Sequence, residues 1–434
     1  MHVLKMPSIP EELTYAPSRD SVENVVLSRN EVYLQSPEPS FTPSGANRIT
    51  FQINTRNFVD LGSVEMYAII STAVAIADGT PSTTTTGADD GTKLHINSTM
   101  SLFSDITIST GSGTIIEQIS NADVVGQMLA LSGLSDAWCE TVGSFANAQC
   151  DPQARDACVG GVTPYRLLAL KMSGFLTGSH KYVRPSSMGG LHISCTLASN
   201  AAIMRVRDAA DNAVLTLTQT RLFYDELQMA PSYTRFYEEQ YENRGLQVIF
   251  PSYGCQVGQI TSNGPETVPF SASAQRCQAL MAAVRVKSHG TEKEQNSLAF
   301  VHPGAAGANW SYTWEIAGAR LPPSGVTSYT RAFHEVMKIA GSRHDSSQSL
   351  FKLSDFSTSD TVAGNTYTGG KFIAAVDCEQ LESSSQTGIR LSPGSNNLLL
   401  HYPSLANGTP YDVFVVWMYD RALTIVQGQA SVTY

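Results

Sequence analysis

Charge is scarce in this chain. Only 15% of its 434 residues are Asp, Glu, Lys or Arg, against roughly 25% in an average globular protein. Basic charge is the scarcer half, with 28 Lys and Arg against 38 Asp and Glu and a formal net charge of −10. Phosphate backbones are bound by clustered positive faces, so direct nucleic-acid binding is not expected. The first 31 residues hold Lys5, Arg19 and Arg29 against Glu11, Glu12, Asp20, Glu23 and Glu31, and no basic arm compensates.

Long apolar runs are also missing. None approaches the roughly 20 residues that span a bilayer, and the longest, 67–77 and 413–419, have the length of strands. The opening Met1-His-Val-Leu-Lys-Met-Pro7 lacks the apolar centre of a signal peptide, which leads to the expectation of a cytosolic or nuclear origin. The seven cysteines (Cys139, Cys150, Cys158, Cys195, Cys255, Cys277 and Cys378) are odd in number and form no CxxC pair. Free thiols are therefore expected rather than a disulfide framework or a zinc site.

What the chain does have is Ser and Thr, about a fifth of its residues, a bias toward strands and turns over exposed helices. The first 46 residues, punctuated by Pro7, Pro10, Pro17, Pro37, Pro39 and Pro43, read as an extended arm in which only 22–34 is apolar enough to pair. Strand signals then follow one another. Residues 48–54 alternate with period two, 64–70 continue as a half-buried run, and 104–109 and 114–118 form a hairpin around Gly111-Ser-Gly113. A helix is expected after N-cap Asn121, ending near Gly133, with strands at 166–172, 191–197 and 214–223 beyond it.

The second half repeats this order, and the repetition is the most informative feature of the chain. A second helix starts at Thr327 or Ser328, with Tyr329, Phe333, Val336, Met337 and Ala340 on one face. Asn121 and Ser328 stand 207 residues apart, Leu167 and Phe372 205, Leu191 and Leu398 207, and Tyr224 and Tyr419 195. Ile49-Thr-Phe51 and Val248-Ile-Phe250 are read as the two openings. The expected fold is all-β, two tandem eight-stranded jelly rolls with one short helix in a long loop of each, because long crossovers fit Greek-key connectivity. The expected divisions are an arm at 1–46, jelly roll 1 at 47–227, a linker at 228–244 and jelly roll 2 at 245–434.

Two stretches add a resemblance. Ser173-Gly-Phe-Leu-Thr-Gly-Ser-His-Lys-Tyr-Val-Arg-Pro185 followed by Ser186-Ser-Met-Gly-Gly-Leu-His-Ile-Ser-Cys-Thr-Leu-Ala198 resembles a segment of Polinton-like virus and virophage capsid proteins, in which a basic, proline-ended loop feeds a Gly-Gly strand. Leu217–Leu227 followed by Pro231–Tyr241 is similar to the end of their first jelly roll and the linker after it. The resemblance, over roughly 45–434, is to the double jelly-roll major capsid proteins of icosahedral double-stranded DNA viruses. It implies a structural protein that assembles as homotrimers, giving pseudo-hexameric capsomers that tile an icosahedral shell. Implied partners are neighbouring capsomers, penton and minor capsid or cement proteins, and an internal membrane or membrane protein. The implied location is the virion, after synthesis in the host cytoplasm and assembly there or in the nucleus.

Glu238, Glu239 and Glu242 cluster, but beside Tyr233, Phe236, Tyr237 and Tyr241 of the linker, where a solvated face with aromatic anchors is expected rather than the paired carboxylates of a glycoside hydrolase. Asp225 and Asp420 each follow a Tyr on a closing strand and are read as structural hydrogen-bonding groups. His334-Glu335 on the second helix has Lys338 where a zinc protease needs its second His. Asp78, Asp89 and Asp90 of the Thr-rich loop 78–91 form no EF-hand pattern. The loops 78–91 and 342–370 are expected to be exposed. No catalytic, cofactor or metal site is expected, and no enzymatic activity. The alternative is a tandem β-sandwich adhesin or carbohydrate-binding protein, kept open by the sequons at Asn97, Asn309 and Asn407 and by sugar stacking on Trp138, Trp310, Trp314 or Trp417.

Overall fold

The computed structural model describes residues 26–75, 93–94, 102–133, 162–169, 174–178, 182–199, 204–205, 212–239, 244–261, 264–286, 300–303, 309–340, 353, 356, 369–379, 388–403, 405 and 410–433. Among the described residues, beside four two-residue strands, eight strands of six residues or more build the first half: β1 (Val26–Gln35), β2 (Arg48–Ile53), β3 (Phe58–Ala75), β4 (Phe103–Thr110), β5 (Ile115–Ser120), β6 (Val162–Ala169), β7 (Leu191–Leu197) and β8 (Asn212–Met229). They form two antiparallel sheets, in the orders β1-β8-β3-β6 and β2-β7-β4-β5. Consecutive strands thus change sheet everywhere except across the β4–β5 hairpin, as in a jelly roll.

The second half repeats the arrangement with β9 (Leu246–Ile260), β10 (Pro265–Phe270), β11 (Ala274–Val286), β12 (Ser311–Ile316), β13 (Ala319–Val326), β14 (Ala374–Asp377), β15 (Asn396–His401) and β16 (Tyr411–Val426). Its sheets run β9-β16-β11-β14 and β10-β15-β12-β13. Strand for strand, the order is that of the first half. A terminal β17 (Gln429–Thr433) folds back on β16. Helix α1 (Ala122–Gly133) lies between β5 and β6, and α3 (Tyr329–Ile339) lies between β13 and β14; the linker carries α2 (Pro231–Tyr237). Ser328 caps α3 by accepting from the Arg331 amide. Asn121 has a left-handed φ of 52° and meets α1 through its carbonyl, not its side chain.

Two expectations change. Val26–Gln35, which the sequence reading placed in the arm, pairs with β8 from Met229 to Arg221, so it is the outer strand of the first jelly roll. The prolines at 37, 39 and 43 interrupt the chain after this strand and do not keep it from pairing. The two openings also differ: Ile49–Phe51 lies in β2, whereas Val248–Phe250 lies in β9, the counterpart of β1. Both segments alternate with period two, and periodicity does not distinguish which sheet a strand joins.

Each sandwich fills with alternating apolar side chains, Ile49, Phe51 and Ile53 of β2 against Met66 of β3 in one and Trp314, Phe270 and Val415 in the other. Phe270 meets Trp314 edge-on at 5.8 Å and stacks on Trp417 at 6.2 Å. Gly254, opposite Trp417 on β9, leaves the space the indole fills: a Cβ there would lie 2.1 Å from the ring. The two cores merge into one apolar cluster running through both jelly rolls.

Candidate assembly surfaces

The seam between the jelly rolls is built from the β5–α1 corner of the first and the outer face of the sheet β9-β16-β11 of the second. Glu117, on β5 and fully buried, accepts from the amides of Gly174 and Phe175 at 3.2 Å each. That pins the short helical turn 174–178 against the second jelly roll. Gly174 fits because a Cβ at this position would stand 1.5 Å from the Pro251 carbonyl oxygen, and Phe175 meets Phe250 edge-on at 5.2 Å. Within the Ser173–Pro185 stretch, then, residues 174–176 form a wedge between domains. The Gly189-Gly190 pair that follows turns beside the β4–β5 hairpin, where a Cβ on Gly111 would lie 1.9 Å from the Gly189 carbonyl oxygen.

Farther along the seam, Asn121 donates to the Cys255 thiol at 3.7 Å, and Arg285 of β11 donates to Gln127 of α1. Arg285 is 4% exposed and its guanidinium lies over the rings of Phe300 and Phe414, at 5.2 and 5.9 Å. Burial pushes Arg285 down to about 10, opposed by the nearby Asp123 carboxylate, and burial raises Asp123 in turn. Desolvation thus outweighs attraction for both, as expected where charges leave water. Burial and the nearby Glu117 also raise the Tyr253 phenol well above its usual value.

Among the described residues, nothing covers the corresponding face of the first jelly roll in this way. Tyr33 of β1 is 59% exposed and meets Phe223 at 5.8 Å, Tyr67 stands edge-on to Phe223 at 4.7 Å, and Arg221 lies over the Tyr33 ring. Beside this aromatic patch, Arg29 bridges Asp225 and Asp60. On the second jelly roll, β13 exposes Arg320, and α3 exposes Thr330 and His334.

The residues singled out from sequence do not converge. Asp225 accepts from Arg29 at 2.7 Å, whereas Asp420 is buried and accepts from Gln278 at 2.9 Å. Glu335 is buried and paired with Lys338 at 2.8 Å, while His334 points to solvent. In the linker, Tyr237 is buried edge-on against Phe58 at 4.7 Å, Phe236 is half exposed, and Glu238 pairs with Arg184 at 2.6 Å. Trp310 and Trp314 are buried in the second core. Burial pushes the Cys195 and Cys255 thiols up to about 12, and Cys277 and Cys378 form a buried neighbouring pair. Among the described residues no three His, Cys, Asp or Glu side chains gather as a metal-binding group. Cys139, Cys150, Cys158, Trp138, Glu242, Asn97, Asn407, the loop 78–91 and most of 342–370 lie outside the described residues. Sequence reading missed the seam residues Glu117, Gln127 and Arg285. The one available signal was that α1 is almost wholly apolar.

Solved structures share this architecture over nearly their whole length. The mavirus major capsid protein superposes with a TM-score of 0.54 at 11% identity, covering 100% of this chain and 95% of that one. For the Faustovirus major capsid protein the values are 0.56 and 9%, with 95% and 93% covered. The chain has the double jelly-roll fold of viral major capsid proteins. A chain from the structure of the Sputnik virophage gives 0.53 at 12% identity, with 100% and 93% covered. Such coverage extends the likeness to the side-by-side pairing of the two domains as well as to a single sandwich. No protein-family model and no curated protein matches the sequence.

Proposed function

We propose that this chain is a major capsid protein that acts by self-assembly and has no catalytic role. The observation that carries the reading is the pairing of two jelly rolls of identical strand order across a buried seam, the fold of the mavirus and Faustovirus capsid proteins. Two near-equivalent domains per chain give a threefold ring an approximately sixfold outline, which suits hexagonal tiling, and closed cyclic symmetry makes each contact heterologous. The functional unit is therefore a homotrimeric, pseudo-hexameric capsomer of an icosahedral shell, located in the virion. Assembly takes place in the host cytoplasm or nucleus. Penton and minor capsid or cement proteins, and a membrane or membrane protein beneath the shell, are the partners such a lattice calls for. The proline-punctuated sequence before β1 is the stretch proposed to reach them, and 228–244 is proposed as the linker. The burial of Trp310 and Trp314 removes two of the sugar-stacking surfaces an adhesin would use.

The test is the solution mass of the purified chain by light scattering, with electron microscopy of the same fraction. The expected species has three times the 46.7 kDa chain mass and a hexagonal outline. A monodisperse monomer across the micromolar range would overturn the reading.

A further inference from the structure

Each jelly roll has an outer sheet face and a corner formed by its helix and the strand before it, and the described residues join one face to one corner. The second jelly roll's face is covered by the β5–α1 corner of the first. Among the described residues, the first jelly roll's face and the β13–α3 corner of the second remain over. We propose that these two surfaces meet between copies, the β13–α3 corner of one chain docking on the outer face β1-β8-β3 of the next and repeating the internal seam. This rests on the capsomer reading and names the surfaces that would close it.

Register gives the equivalences. Val32 pairs with Tyr224 and Ser252 with Tyr419, so with the two Tyr-Asp pairs aligned, Tyr33 answers Tyr253 and Gln35 answers Cys255. On the corner, the 207-residue offset matches Asn121 to Ser328 and Gln127 to His334. Burial differs at every such position. Cys255 receives a hydrogen bond from Asn121, whereas Gln35 and Ser328 are both exposed. Gln127 is buried on Arg285, whereas His334 is exposed. Met281 is fully buried, whereas its counterpart Tyr67 lies in the open aromatic patch.

Charge supports the same pairing. The open face carries Glu31 and Glu65 with Arg221 and the Arg29–Asp60–Asp225 cluster, four acidic groups to two basic, and the corner carries Arg320 and Arg331 beside the paired Lys338 and Glu335. Opposite signs across an interface fix orientation and speed encounter. A face-to-face contact, the isologous alternative, would set Glu31 and Glu65 against their own copies. A heterologous contact uses one face and one corner per chain and so continues around a ring.

The test uses the full chain with Gln35→Cys and Ser328→Cys combined, the counterparts of the Cys255 and Asn121 contact. Mild oxidation with copper-phenanthroline should give covalent dimers and trimers on a non-reducing denaturing gel, while wild type and each single variant stay at the chain mass. Independently, Arg320→Glu/Arg331→Glu on the corner and Tyr33→Asp on the face should each reduce the trimer to 46.7 kDa with an unchanged circular dichroism spectrum. A trimeric wild type that gives no such crosslink, and whose corner and face variants stay trimeric, would overturn this pairing and leave the capsomer intact. A monomeric wild type would overturn the capsomer reading first, and the pairing with it.

Discussion

Helices α1 and α3 occupy the same place in two jelly rolls of identical topology, yet their surroundings differ. In α1, from Val124 to Ser132, side chains are buried on every side. In α3 the buried side chains are Ala332, Glu335, Val336 and Met337, while Thr330 and His334 face solvent. The sequences follow suit: Ala122-Asp-Val-Val-Gly-Gln-Met-Leu-Ala-Leu-Ser-Gly133 has little polar face, and Tyr329-Thr-Arg-Ala-Phe-His-Glu-Val-Met-Lys-Ile339 has a clear one. A helix apolar all round is buried all round. The sheets repeat the contrast, because β11 is buried on both faces from Cys277 to Arg285, whereas β3 alternates from Val64 to Ala68. The lesson is that a duplicated fold diverges where one copy becomes the other's interior.

The largest break in this comparison is expected at the wedge. Phe175→Ala removes a fully buried ring packed on Phe250 and should destabilise the chain by about 3–5 kcal/mol, measured by denaturant unfolding. A loss below about 1 kcal/mol would mean that the seam contributes little to stability. Next is the helix pair. Gln127→Ala deprives the buried Arg285 of a hydrogen-bond acceptor and should cost about 1–3 kcal/mol. His334→Ala, the matched change on α3, should fall within about 0.5 kcal/mol in the dissociated chain. Equal effects would contradict the difference in burial.

A smaller effect separates the two Tyr-Asp pairs. Burial raises Asp420, so the fold disfavours its ionised form, and the stability it supports is full at acid pH and is lost as pH rises through its folded range. Asp420→Asn keeps an acceptor for Gln278 and should match or exceed wild-type stability at pH 7, with any gain vanishing in acid. Thermal unfolding of both proteins across that range checks the sign, and a variant less stable at pH 7 would refute it. Least affected should be Arg29→Ala: the guanidinium is half exposed despite its two carboxylates, and the loss should stay below about 1 kcal/mol. A clearly larger loss would show that the open face is more rigid than its exposure suggests.

Much of the architecture was legible before any coordinates. The β4–β5 hairpin, α1, α3, β7 and the repeat that relates the halves all carry local signals: period-two alternation, Gly-Ser-Gly punctuation and Ser328 as a cap. The role of Val26–Gln35 was not legible. Its edge position, with Val26, Leu27 and Tyr33 exposed, leaves a weak apolar pattern, and its partner β8 lies some 200 residues away in the chain. The seam was hidden for a related reason. Glu117 and Arg285 look like surface charges in any window of sequence, because what buries them, residues 174–175 for Glu117 and Gln127 for Arg285 among them, lies far along the chain.

From the sequence by itself came the all-β class, the duplication and the shortage of basic charge, because alternation, spacing and composition are properties of neighbouring residues and of counts. The tertiary structure decided which face of each jelly roll is covered and which is left open. Burial is settled by what lies opposite a side chain in space, and Tyr33 and Tyr253, equivalent in topology, meet solvent in one case and a second domain in the other.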